Sequence, residues 1–225
     1  MEKREAKKLI LKKETNRMGC LARTLTIVVI LGGALGGSAS AQSLNVNFGP
    51  AGTAPSPTYA AAGLPGVWNN IEGTEGHPYW LVGLDGNPTN VELNQIGAWG
   101  LLSAFDPSVS GDDAALLDHA LVTYAPPGDE VCLIIDGLEP GTYEVLIYAW
   151  MPNAPTVLSR VRQDGSMTTY DVGGAWPGGH VEGITYARHV LDLTGYLGSH
   201  SGVPKNGLPE NGAALNGFQI RKLSE

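Results

Sequence analysis

The sequence predicts an all-β chain, folded as an antiparallel two-sheet β-sandwich of jelly-roll type with one short helix. Three observations lead there. Thirty-one Gly and 15 Pro among 225 residues call for many tight turns rather than long helices. A hydrophobic fraction of 43% excludes wholesale disorder. About eight to ten short β-like runs follow one another with turn signals every ~8–12 residues, and no internal repeat points to a propeller or solenoid.

The first 41 residues read as a signal peptide. Lys3, Arg4, Lys7, Lys8, Lys12, Lys13, Arg17 and Arg23 precede a short apolar run from Leu25 to Gly36, and Ala39-Ser40-Ala41 offers a cleavage site before Gln42. Met18 could be the true start. The apolar run falls short of the ~18–20 residues of a membrane span, which disfavours an uncleaved anchor. The remaining segment, 42–225, is one domain's length. Loss of the leader would remove Cys20 and leave Cys132 alone, as a small buried hydrophobe with no intrachain disulfide.

Along the domain, Leu44-Asn-Val46-Asn-Phe48 alternates at period two and predicts a half-buried strand. Residues 49–66 are Pro-, Gly- and Ala-rich and predict a surface loop leading to Trp68. Trp80–Leu84 and Asn90–Ile96 flank Asp85-Gly86-Asn87-Pro88 and predict a hairpin. Ser110-Gly-Asp112-Asp113 before an apolar run predicts a helix over about 112–120. Two β-rich runs in Glu130–Trp150 flank Pro140-Gly141, which suits a type II turn, and the second run, apolar on both faces, predicts a central strand. Val157–Gln163 and Met167–Val172 predict a hairpin about Asp164-Gly165. A glycine-rich loop surrounds Trp176 over 173–183, Ile184–Leu193 reads as a strand, 195–212 as an irregular loop, and Leu215–Ile220 as the closing strand.

Charge excludes whole classes of partner. Eight of the 14 Lys and Arg, but only three of the 22 Asp and Glu, lie in residues 1–41, so the other 184 carry a formal charge of −13. Nucleic acids and anionic membranes need a basic face, and neither is an expected partner.

A resemblance adds to this reading. Asp112-Asp113-Ala-Ala-Leu-Leu117, Ile135–Val145, Val172–Trp176 with Glu182–Tyr186, and Leu215–Ile220 together resemble the galactose-binding-domain-like jelly rolls of exported, planctomycete-type bacterial proteins. It covers most of residues 44–223 and rests on turn and core residues, so it speaks to fold more than to activity. The resemblance implies a secreted, periplasmic or extracellular module that contacts carbohydrate or cell-surface glycan. The sorting tail of some such proteins has no counterpart after Ile220, so anchoring by that route is not expected.

Catalytic signatures are weak. Gly198-Ser-His200-Ser-Gly202 superficially resembles a nucleophile elbow, but His stands at the centre and no strand-turn-helix context surrounds it. The five histidines form no H-x-H or H-E-x-x-H pair. Asp112, Asp113 and Asp118 could contribute to a structural calcium site, although solvated helix-capping carboxylates read better. Sugar sites pair a flat aromatic with polar side chains at its rim. By that plan the candidate ligand-binding residues are Trp176, His180, Glu182, Trp99 and Tyr186, with Trp176 alternatively a plug over the sandwich. The leading expectation is non-catalytic carbohydrate binding. The alternatives are an extracellular structural or adhesive protein and a polysaccharide hydrolase or lyase.

Overall fold

The computed structural model describes residues 42–123, 129–151, 154, 156–203 and 212–224. All belong to one unit of the chain. In chain order they form β1 (Leu44–Phe48), β2 (Trp68–Ile71), β3 (Tyr79–Val82), β4 (Pro88–Ile96), β5 (Gly100–Ser103), α1 (Gly111–Leu117), β6 (His119–Thr123), β7 (Glu130–Asp136), β8 (Gly141–Tyr148), β9 (Ser159–Gln163), β10 (Thr169–Val172), β11 (Tyr186–Leu193), β12 (Tyr196–Gly202), β13 (Ala213–Leu215) and β14 (Gly217–Ser224). Among the described residues the fold is therefore an all-β sandwich with one short helix. No helix among the described residues is long and apolar enough to cross a membrane.

One sheet has five strands in the order β11-β8-β14-β1-β2, the other six in the order β10-β9-β12-β7-β4-β3. The main core lies between them. Val46 and Phe48 of β1, Val145 and Ile147 of β8 and Phe218 of β14 meet Leu93 of β4, Leu133 and Ile135 of β7, Val161 of β9 and Leu197 of β12. A third sheet, β13-β6-β5, was not foreseen, and β1 pairs with β2 in parallel.

Several segments depart from the sequence reading. All five residues of β1 are buried, Asn45 and Asn47 included, because the loop over 49–66 covers the outer side of their sheet. Asn45 donates to the Leu64 carbonyl and accepts from Gln219, and Asn47 Nδ2 donates to Asn70 Oδ1, whereas Asn47 Oδ1 is buried without a hydrogen-bond partner. Gly141 has φ 153°, away from the ~+80° of a type II turn, whereas Gly137 has φ 84°. The segment between β7 and β8 is a crossover from the six- to the five-stranded sheet. The loop predicted after Gly195 holds β12, paired with both β7 and β9. The remainder of that loop, 204–211, lies outside the described residues, as do the predicted leader and its cleavage site. Cys132 is buried in β7, and its sulfur is disulfide-bonded rather than the lone thiol expected; the partner lies outside the described residues.

Candidate functional site

Most of the sequence-selected residues gather on the outer face of the five-stranded sheet. A second apolar cluster there unites Trp68 of β2, Leu146 and Tyr148 of β8, Trp150, and Leu116 and Leu117 of α1. Three segments roof it: the loop over 49–66, α1, and the glycine-rich loop before β11. Asp112, in the first turn of α1, fastens the roof by accepting from Ser56 N at 2.8 Å and Ser56 Oγ at 2.7 Å. Its neighbour Asp113 accepts the phenol proton of Tyr59.

His180 completes this knot. Its Nε2 lies 2.5 Å from Tyr59 Oη and 3.3 Å from Asp113 Oδ1, and Nδ1 lies 3.3 Å from Thr185 Oγ1. With the phenol donating to Asp113, the pattern assigns Nε2–H as donor to Tyr59 and leaves Nδ1 to accept from Thr185. Burial pushes the His180 imidazole down against the pull of Asp113, which favours that neutral form. Burial and Asp113 together hold the Tyr59 phenol far above its ordinary range. Below them, Tyr148 donates to Gln219 Oε1 at 2.6 Å and accepts from Ala62 N.

The expected sugar platform takes a different form here. The His180 side chain is only 5% exposed and so is part of the interior rather than a rim. Trp176 is half-buried, its ring edge-on to Trp150 at 6.1 Å and to His180 at 5.8 Å. Tyr186 is half-buried beside Tyr148. Glu182 is exposed on the same loop. Trp99, 71% exposed, stands apart at the start of β5, its N–H donated to Val122 of β6. Asp118 caps the C-terminus of α1, with its N–H on the Ala114 carbonyl. Asp112 and Asp113 are engaged as described, and among the described residues no group of three or more His, Cys, Asp or Glu is arranged to hold a metal ion.

His200 enters a separate ionic network on the outer face of the six-stranded sheet. Its Nε2 donates to Asp164 Oδ1 at 2.9 Å, Nδ1 lies 3.2 Å from Glu130 Oε2, and Arg162 bonds Glu130 through Nε and Nη2. Burial alone would raise Glu130, but His200 and Arg162 outweigh it and bring the carboxyl down to about 2. Arg162 Nη2 also lies 3.1 Å from His200 Nδ1, so every member of the network is engaged by another, which suits structure better than an elbow nucleophile.

An open concavity that the sequence reading missed lies where β2 leaves the five-stranded sheet. Its volume is about 390 Å³, and Ala51, Asn70, Glu72, Thr74, His77 and Tyr79 line it. Asn70 is a structural wall, donating to the Gly49 and Pro50 carbonyls and accepting from Asn47. Tyr79 is fixed by accepting from Thr74 N at 3.0 Å, and the His77 ring lies 5.0 Å from it. The Glu72 carboxylate, the Thr74 hydroxyl and the His77 ring nitrogens make no hydrogen bond or ion pair with the described residues. The available signal was the polar stretch Glu72-Gly-Thr-Glu-Gly-His-Pro78 between two strands, which carries no Leu, Ile, Val or Met.

No protein-family model matches the sequence, and no curated protein does. Among solved structures the chain is similar to the ANX2 ectodomain from Arabidopsis thaliana, at 16% identity and TM-score 0.47, over 82% of this chain and 50% of that one. It is also similar to a Paenibacillus xanthan lyase, at 17% identity and TM-score 0.35, over 72% of this chain and 14% of that one. A third similarity is to the CBM35 from Cellvibrio japonicus Abf62, at 16% identity and TM-score 0.32, over 58% of this chain and 92% of that one. The chain spans half or less of the receptor ectodomains it matches.

Proposed function

We propose that the domain is an exported, non-catalytic carbohydrate-binding module whose ligand enters the cleft between Asn70 and Tyr79. The carrying observation is the convergence there of three uncommitted polar side chains, Glu72, Thr74 and His77, on the rings of His77 and Tyr79. A sugar presents apolar C–H faces between hydroxyls, and a small cavity with an aromatic wall and a few polar groups complements it. The volume falls in the ~300–1,000 Å³ range of small-ligand sites. A glycan array probed with the exported chain tests the reading. Glu72→Gln and His77→Ala are expected to lose retention with the melting temperature unchanged, and failure to retain any glycan would reject it.

One observation favours a second reading. Glu72 and His77 are both titratable and share the cleft, the minimum an acid–base mechanism needs. Release of reducing ends from a polysaccharide, lost in Glu72→Gln, would replace binding alone with hydrolysis.

A further inference from the structure

We propose that the cleft selects a sugar carrying a protonated amine, which rests on the reading of the cleft as a saccharide site and names the class of sugar it takes. Among the lining residues Glu72 is the carboxylate. It stands exposed just past β2 and makes no hydrogen bond or ion pair with the described residues. An ionised carboxylate accepts hydrogen bonds and donates none, so an occupant has to bring the donors. Glu75, close by in sequence, has a partner of its own, does not line the cleft and is not counted.

The donors of the lining are largely spent. Both hydrogens of Asn70 Nδ2 go to backbone carbonyls, to Gly49 at 3.0 Å and to Pro50 at 2.6 Å, so this amide has none for a ligand. Ala51 offers no polar side-chain atom. No Lys or Arg lines the cleft, and the described ones are held elsewhere. Arg160 is paired with Asp171, Arg162 with Glu130 and Asp164, Arg188 and Arg221 with Glu144, and Lys222 with Glu139. A sugar carboxylate or sulfate would therefore meet Glu72 with no guanidinium or ammonium to offset the repulsion.

A protonated amine suits what remains. An ammonium group donates and accepts nothing, and the cleft offers it the Glu72 carboxylate and the Thr74 hydroxyl oxygen. The Tyr79 ring is fixed by accepting from Thr74 N at 3.0 Å, with the His77 ring 5.0 Å away and tilted by 52°. A cation beside a carboxylate and over an aromatic face is attracted by both. The apolar face of the sugar would take the rest of this wall. The formal charge of −13 on the residues after 41 acts in the same direction, since it draws cationic solutes to the surface and repels anionic ones.

Titration calorimetry of the full exported chain with glucosamine, N-acetylglucosamine, glucose and glucuronate tests the proposal, because each of the others departs from glucose at a single carbon. With the amine kept protonated, glucosamine should bind roughly tenfold more tightly than glucose or N-acetylglucosamine, and glucuronate should not bind. Glu72→Gln should bring glucosamine down to the weak level of glucose. Glu72→Lys should invert the order in favour of glucuronate, with the melting temperature of both variants unchanged. A parent chain that binds these sugars alike, or a Glu72→Lys chain that keeps the parent order, would overturn the selectivity and leave the saccharide reading standing. Binding of none of them, with another class of glycan retained on the array, would overturn it likewise. Retention of no glycan at all would reject both.

Discussion

The side-chain amide of Asn69 pairs with the peptide of Val82 in both directions. Asn69 Nδ2 donates to the Val82 carbonyl at 2.9 Å, and Val82 N donates to Asn69 Oδ1 at 2.8 Å. One carboxamide thereby imitates a β-bridge between edge strands of the two sheets, β2 and β3. The cleft segment joins these strands, so the clamp also fixes the cleft. Asn69→Ala would leave both Val82 groups without their partner, at about 1–3 kcal/mol. Urea unfolding should show that loss, with weaker glycan retention alongside it. Unchanged stability would mean that the pairing contributes nothing.

Trp176 is a packing residue as much as a surface one. Its ring lies against Trp150 and His180, while Trp150 Nε1 donates to the Gly174 carbonyl at 2.8 Å and pins the same loop. Trp176→Ala should therefore cost roughly 1–3 kcal/mol, below the full core value because the ring is half-buried. A melting temperature equal to that of the parent protein would return Trp176 to the role of a freestanding stacking residue.

Local signals made much of the fold legible, and non-local ones hid the rest. The β3–β4 and β9–β10 hairpins each declare themselves through strand, turn and strand within one short stretch. Strand β12 could not be read that way, since Tyr196-Leu-Gly-Ser-His-Ser-Gly202 has the composition of a loop. Its small residues are needed by distant partners: a Cβ on Gly198 would lie 2.1 Å from the Asp164 carboxylate, and one on Gly202 would lie 2.9 Å from Glu130 Cγ. Tertiary contact here outweighs propensity. For the site, conspicuous tryptophans drew attention to a roof whose polar atoms satisfy one another. Glu72, Thr74 and His77 of the cleft, being merely polar and between strands, gave no periodicity to notice.

Gly137 should be the least replaceable glycine of the β7–β8 crossover. Its φ of 84° is left-handed, and a Cβ there would stand 2.1 Å from the Asn90 carbonyl oxygen of β4. Both strain and collision involve backbone, which cannot swing aside as a side chain would. Gly137→Ala is expected to destabilise by about 2–4 kcal/mol, and by more than Gly141→Ala. Thermal unfolding of the two variants decides the order, and a larger effect at Gly141 would contradict the assignment.

Stability should fall in two separable steps as the solution is acidified. His189 is buried edge-on to Tyr170 at 4.9 Å, its Nε2 has no hydrogen-bond partner, and burial pushes the imidazole down to about 4. Between about pH 6.5 and 4 the unfolded chain therefore takes up a proton that the folded chain refuses, and stability declines as the pH drops through that window. The loss is roughly 2 kcal/mol once solvent screening is allowed for. His180 and His119, also lowered by burial, act with the same sign. Glu130 behaves differently: His200 and Arg162 keep it ionised in the folded chain down to about 2, so its contribution is present above the unfolded carboxyl range and is lost between about 4.5 and 2. His189→Leu should shrink the first step and leave the second, whereas Glu130→Gln should remove the second and leave the first. Denaturation midpoints at pH 7, 5.5, 4 and 2.5 separate them, and a wild-type midpoint that stays level from pH 7 to 4 would show that His189 accepts its proton without cost in the folded state.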